Sequence, residues 1–113
     1  MIQIYHNPRC AKSREGIAFL EASGKSYETV RYLEETPGEN ELKAIIKKLG
    51  YTPIELVRKK EAIWKENFRG KSLSDDEIIA AMIKYPKLIE RPIIISGDKA
   101  VVGRPAEKIN ELF

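Results

Sequence analysis

Ile2-Gln3-Ile4-Tyr5-His6-Asn7-Pro8-Arg9-Cys10-Ala11-Lys12-Ser13-Arg14-Glu15-Gly16 is the stretch whose reading decides the fold. Ile2 and Ile4 alternate with their neighbours, a period of two that predicts a strand, and His6-Asn7-Pro8 breaks it. From Ala11 onward the pattern turns helical, so Cys10 falls where a strand becomes a helix. The first helical turn carries N–H groups without intrahelical partners and the positive end of the macrodipole, and both favour an anion. A thiol placed there shifts toward the thiolate, which is the form that reacts. Arg9, Lys12 and Arg14 add positive charge, as does His6 if protonated, and the Ser13 hydroxyl lies one turn on. Free cysteines are more often small buried hydrophobes, and such a residue belongs inside an apolar run. Cys10 lies instead between Arg9 and Lys12, which favours a reactive thiol.

Outward from that stretch, Ala11 to Ser23 carries Ile17 and Leu20 on one helical face with Ala18 and Ala22 nearby, and Gly24 supplies the C-terminal stop. Tyr27 to Leu33 is rich in Tyr, Thr and Val and reads as a second strand, giving a βαβ unit with two parallel strands. The middle third is helical. Thr36-Pro37-Gly38-Glu39, Thr52-Pro53-Ile54-Glu55 and Ser74-Asp75-Asp76-Glu77 each read as a capping box. The first opens a helix with Leu42, Ile45, Ile46 and Leu49, stopped by Gly50; the third opens one with Ile78, Ile79, Met82 and Ile83, stopped near Pro86. The second, carrying Leu56, Val57, Ile63, Trp64 and Phe68, is less regular and is expected to break around 59–62. Trp64 and Phe68 read as packing residues rather than a ligand box.

Ile93 to Ile95 and Ala100 to Val102, joined through Gly97-Asp98, predict a hairpin, and Pro105 to Phe113 a short last helix. The expected fold is therefore α/β: a single domain over 1–113 with a thioredoxin-like, mixed four-stranded sheet and a helical insertion at about 36–86. Fold alone assigns no reaction.

The chain has 113 residues with one cysteine and one histidine. That inventory excludes an internal disulfide and supplies too few ligands for a typical structural zinc site, so no metal is expected. Its 20 basic and 17 acidic residues are mixed along the chain and give a net charge of +3, the pattern of a solvated surface and not of a nucleic-acid footprint. Without a cationic, apolar leader or a long apolar run, the protein is expected to be soluble and cytoplasmic, with no membrane partner and a reduced thiol.

Arg91-Pro92 enters the hairpin and Arg104-Pro105 leaves it. A residue before proline is pushed to extended geometry. In thioredoxin-like folds the proline leading into that strand is typically cis and faces the active cysteine, which would aim Arg91 at Cys10. The alternative is that both arginines are surface charges paired with acids such as Glu90 and Glu107. Arg58, beside Lys59 and Lys60, reads by itself as a solvated charge. His6 either raises the thiolate fraction or hydrogen-bonds the loop backbone, and Asn7 and Pro8 shape the turn.

His6-Asn7-Pro8-Arg9-Cys10 with Ser13-Arg14, then Leu56-Val57-Arg58-Lys59, then Glu90-Arg91-Pro92-Ile93 and Gly103-Arg104-Pro105 together resemble the glutaredoxin-coupled arsenate reductase family. The resemblance runs from the first strand to the last helix. It implies a thioredoxin-like fold with a helical insertion, Cys10 as the nucleophile, Arg58, Arg91 and Arg104 as oxyanion ligands, and His6 and Ser13 as residues that help hold the thiolate. It also implies an oxidoreductase of arsenic detoxification that binds no cofactor and draws electrons from glutathione and glutaredoxin. The inventory is compatible with that chemistry. Planar guanidinium forks match oxyanion oxygens, and a chain without a second cysteine needs an external thiol to resolve a cysteine adduct. Two other readings use the same residues. Cys10-Ala11-Lys12-Ser13 has the C-x-x-S form of monothiol glutaredoxins, although an arginine before Pro92 is unusual there. Spx-type regulators, which bind RNA polymerase, share the fold and the Arg-Pro pair but generally carry C-x-x-C.

Overall fold

The computed structural model of the chain describes residues 2–113. Four strands, β1 (Ile2–Tyr5), β2 (Tyr27–Val30), β3 (Ile93–Ser96) and β4 (Lys99–Val102), form one sheet in the order β2-β1-β3-β4. β1 runs parallel to β2, with Ile4 opposite Thr29, and antiparallel to β3, with Ile4 opposite Ile94; β3 and β4 are antiparallel. Parallel neighbours need a crossover, and α1 (Ala11–Ser23) provides it. This is the thioredoxin-like mixed sheet expected from the order of elements.

The chain divides into two compact units. The first runs through Glu35 and resumes at Arg91–Phe113; the second is Thr36–Glu90. In the first, Ile2, Ile4, Leu20, Ile94 and Ile109 form a buried cluster, joined by Ile17, Phe19 and Leu112 among others. Each such aliphatic side chain gains about 1.5–3 kcal/mol by leaving water. α1 buries Ser13, Gly16 and Leu20, whereas Ala18 and Ala22, expected beside that face, are exposed. Gly16 is there because of proximity: a Cβ on it would lie 3.0 Å from Pro92 Cγ and 3.3 Å from Ile4 Cδ1.

β2 ends at Val30, short of Leu33. The His6 N–H donates to the Val30 carbonyl at 2.8 Å, and the Arg31 carbonyl then accepts the N–H groups of Glu34 and Glu35 at 3.0 and 2.8 Å, so the chain turns away from the ladder. In the β3–β4 hairpin Gly97 has φ 63, and no non-glycine residue among those described has positive φ. That is the type II′ pattern, in which only the first turn residue needs glycine. The C-terminal segment is a 3₁₀ helix, Ala106–Leu112, with i→i+3 bonds such as Lys108 N–H to the Pro105 carbonyl at 3.1 Å.

The second unit holds α2 (Glu39–Leu49), α3 (Ala62–Asn67) and α4 (Asp75–Lys84), with 3₁₀ turns at Pro53–Leu56 and Pro86–Leu88. Two of the three expected capping boxes form. Glu77 Oε1 accepts the Ser74 N–H at 3.0 Å while the Glu77 N–H reaches Ser74 Oγ at 3.2 Å, and Glu55 Oε1 accepts from the Thr52 N–H at 2.8 Å. The Thr36 box does not form. Gly38 is the N-cap, in extended backbone, and its carbonyl accepts the Leu42 N–H at 2.9 Å. The helix thus starts at Glu39, which places Glu39 and Glu41 in the first turn, where the dipole favours acids. Trp64 is buried and stacks on Phe68 at 5.4 Å between ring centroids, and Phe68 meets Tyr85 edge-on at 6.1 Å.

Candidate active site

Cys10 is the N-cap of α1, partly buried, with extended backbone. The turn before it is fixed by the chain itself: the Cys10 N–H donates to the Asn7 carbonyl at 3.0 Å, and the Arg9 N–H to Asn7 Oδ1 at 3.0 Å. Arg14 reaches back from the helix, its Nη1 donating to the Pro8 carbonyl at 2.9 Å. The Cys10 side chain makes no capping hydrogen bond, but the groups that favour its charged form face it. Burial pushes the thiol up; the Ser13 N–H, the Arg91 guanidinium and the Lys12 N–H together outweigh burial and hold the thiol below its ordinary value.

The Ser13 hydroxyl is engaged by the loop before α1. It is fully buried, accepts the Asn7 N–H at 3.0 Å and lies 2.6 Å from His6 Nδ1, so what acts on the sulfur is the Ser13 backbone N–H. His6 is buried as well. Burial lowers its pKa, and the positive charges of Arg31 and Arg14 lower it further against an opposing hydrogen bond to Ser13. A neutral imidazole that orders the loop follows, not an added cation near the sulfur.

Arg91 and Arg104 come from the segments flanking the hairpin, and both Arg91-Pro92 and Arg104-Pro105 are cis. The Gly103 N–H donates to the Pro92 carbonyl at 2.9 Å, and Arg104 Nη1 approaches the Arg91 carbonyl at 3.4 Å. Pro92 is held between two glycines, for a Cβ on Gly103 would come within 2.8 Å of Ile94 Cδ1 and 3.4 Å of Pro92 Cγ. Burial works against the charge of Arg91, but its interactions with Cys10 and Tyr32 raise its pKa. Cys10 and Arg91 therefore stabilise one another's charged forms. Arg58 lies in the second unit, where Glu61 at 3.6 Å and Glu90 at 3.7 Å flank its guanidinium and its N–H donates to the Leu88 carbonyl at 2.7 Å. It is not a bare solvated charge.

Two residues had no signal in the sequence. Tyr32, 1% exposed, acts on Arg91 from the segment after β2, and Arg31 acts on His6 from the same segment. Both lie beyond the end of the strand, where alternation no longer predicts direction. Among the described residues no group of three or more His, Cys, Asp or Glu side chains is placed to hold a metal, and no helix is long and apolar enough to cross a membrane.

Sheet order and sulfur together define a thioredoxin-like protein with a single activated cysteine at the head of its first helix. The ArsC family model matches residues 5–112, so the chain belongs to the ArsC family. It is 42% identical to an arsenate reductase of Neisseria meningitidis, with 99% of this chain and 97% of the relative aligned. A protein of Escherichia coli named uncharacterized protein YfgD is 44% identical over 98% of this chain and 95% of its own length. Among solved structures, an arsenate reductase from Vibrio cholerae superposes with a TM-score of 0.95 at 45% identity, covering 99% of this chain and 97% of that one.

Proposed function

We propose that the protein is a cytoplasmic, glutathione- and glutaredoxin-dependent arsenate reductase with Cys10 as its nucleophile. The observation that carries the reading is the mutual stabilisation of the Cys10 thiolate and the Arg91 guanidinium at the N-terminus of α1. Membership of the ArsC family and relatives named arsenate reductase support arsenate as the substrate.

Arsenate is held by Arg91 and Arg104 of the first unit; Arg58 is assigned to the oxyanion by the family resemblance. Arg91 Nε has no protein acceptor among the described residues, so an oxyanion would satisfy a donor the fold leaves open. The Cys10 thiolate attacks arsenic(V), the As–S bond forms, and hydroxide leaves, taking up a proton as water. A glutathione thiolate then attacks the Cys10 sulfur. The S–S bond of a mixed disulfide forms, the electron pair of the As–S bond passes to arsenic, and arsenic(III) departs as arsenite. A glutaredoxin thiolate next attacks the glutathione sulfur and regenerates the Cys10 thiolate. Electrostatic positioning and the lowered thiol pKa supply the rate enhancement. His6 and Ser13 hold the loop in which the thiolate forms.

The test is arsenite formation from arsenate with glutathione and glutaredoxin, set against Cys10→Ser. Activity confined to the cysteine-containing chain is expected, and no arsenite from the wild type would overturn the reading.

A further inference from the structure

We infer that the groove beside the Cys10 loop seats the reducing thiol, as a short peptide carrying two carboxylates, one ammonium and a thiol, the charge pattern of glutathione. The inference rests on the proposed role of Cys10 as the sulfur that forms the mixed disulfide. The groove lies wholly within the first unit, between the Asn7–Arg9 turn and residues of the segment after β2, Arg31, Leu33 and Glu34, with His6 lining it. Its volume is about 420 Å³, within the range of small-molecule sites. Neither Arg91 nor Arg104 lines it, so it is separate from the arginines assigned to the oxyanion.

Its charges select the ligand. Arg9, Arg31 and Glu34 are exposed, and none of them joins an ion pair among the described residues. Two guanidiniums and one carboxylate are the complement of two carboxylates and one ammonium, and guanidinium forks take carboxylates bidentately. The imidazole of His6, kept neutral by burial and by the nearby arginines, adds no competing charge. One wall is pre-set, because the Cys10 N–H to Asn7 carbonyl and Arg14 to Pro8 carbonyl hydrogen bonds hold the turn, which lowers the ordering cost of binding. Arg9, which lines the groove, immediately precedes Cys10, with consecutive Cα atoms about 3.8 Å apart.

Thiol–disulfide exchange tests this without arsenate: the Cys10 thiolate attacks a disulfide RSSR, giving Cys10–S–SR and RS⁻, followed by intact mass. Rates with glutathione disulfide are divided by rates with bis(2-hydroxyethyl) disulfide, which is neutral, and by rates with cystamine, which is cationic. Each ratio is normalised to the same ratio for a free small-molecule thiol, so that a general change in thiolate content cancels. The wild type is expected to favour glutathione disulfide by about tenfold, a preference lost in the Arg9→Ala/Arg31→Ala double variant and falling as salt rises in the wild type. No preference in the wild type, a preference unmoved by the double variant, or one indifferent to salt would each overturn the groove assignment. Absence of arsenite formation would remove the substrate reading but leave these ratios as they are, so the two failures are told apart.

Discussion

His6 Nδ1 and Ser13 Oγ lie 2.6 Å apart, both buried, and the same Ser13 oxygen accepts the Asn7 N–H at 3.0 Å. One hydroxyl thus ties the end of β1, the turn and the first turn of α1 together. Ser13→Ala removes both bonds and leaves two groups short of a partner, at an expected cost of about 1–3 kcal/mol of stability, read by denaturant unfolding. The Ser13 N–H that faces the sulfur survives the change, so the alkylation midpoint of Cys10 is expected to stay below that of a free thiol. A midpoint equal to the free thiol's would mean that the hydroxyl, not the helix end, activates the cysteine.

His6 contributes to the acid side of the stability profile. Folding lowers its pKa below the ordinary 6.5, so below that value the unfolded chain takes up a proton that the folded chain resists. Stability is therefore retained above about 6.5 and falls as pH drops through the folded value. The slope between pH 7 and 5 in chemical denaturation should flatten in His6→Gln. An unchanged slope would assign it to carboxylates.

Cys10 acts on the alkaline side with the same sign. Its folded pKa is depressed, so the stabilisation attached to the thiolate is complete only above the unfolded value of about 8.5 and is lost as pH falls through the folded one. The stability difference between wild type and Cys10→Ser is expected to grow from neutral pH to pH 9, by a small amount because the sulfur is only partly buried. Iodoacetamide rate against pH gives the midpoint directly.

Much of this architecture is legible in the chain, and what is not has separate physical causes. Gly24 and Gly50 end their helices at φ 72 and 71, and Gly97-Asp98 turns the hairpin, because left-handed backbone selects glycine locally. Thr36 failed as a cap because Thr36 and Gly38 offer competing starts within three residues, and local letters do not choose between them. The partners of the Ser13 hydroxyl are not legible for another reason: they lie six and seven positions earlier in the chain, brought to it by packing that spacing does not encode. Tyr32 and Arg31 stayed invisible because β2 ends at Val30 and the period of two ends with it. The motif residues themselves were readable, since cysteine at a helix start and arginine before proline carry their geometry in the sequence.

Gly16 tests how Pro92 is held. A methyl group at Gly16 would sit 3.0 Å from Pro92 Cγ and 3.3 Å from Ile4 Cδ1. The helix-propensity gain of Gly→Ala is about 1 kcal/mol, whereas overpacking against a rigid ring costs about 1–3 kcal/mol. Net destabilisation is expected in a thermal melt, together with a slower alkylation of Cys10 at neutral pH as Arg91 moves with its proline. A higher Tm with unchanged alkylation would show that α1 has room to spare.

Arg91 and Arg104 decide between an oxyanion site and ordinary surface charge. If each offers a forked, charge-assisted pair of donors to the substrate, removing the fork costs on the order of 2 kcal/mol of transition-state binding, roughly thirtyfold in kcat/KM. Lysine should not rescue it, because a point charge cannot supply two parallel hydrogen bonds in one plane. Arg91→Lys has a second signature that Arg104→Lys lacks. The Arg91 guanidinium is among the groups lowering the Cys10 pKa, so its replacement should also raise the alkylation midpoint, while Arg104→Lys should change kcat/KM and leave that midpoint in place. Melts of both variants near the wild-type Tm establish that folding is intact. Wild-type kcat/KM in both would reduce the arginines to surface charge, and loss of activity with no shift of the midpoint in Arg91→Lys would separate substrate binding from thiolate stabilisation.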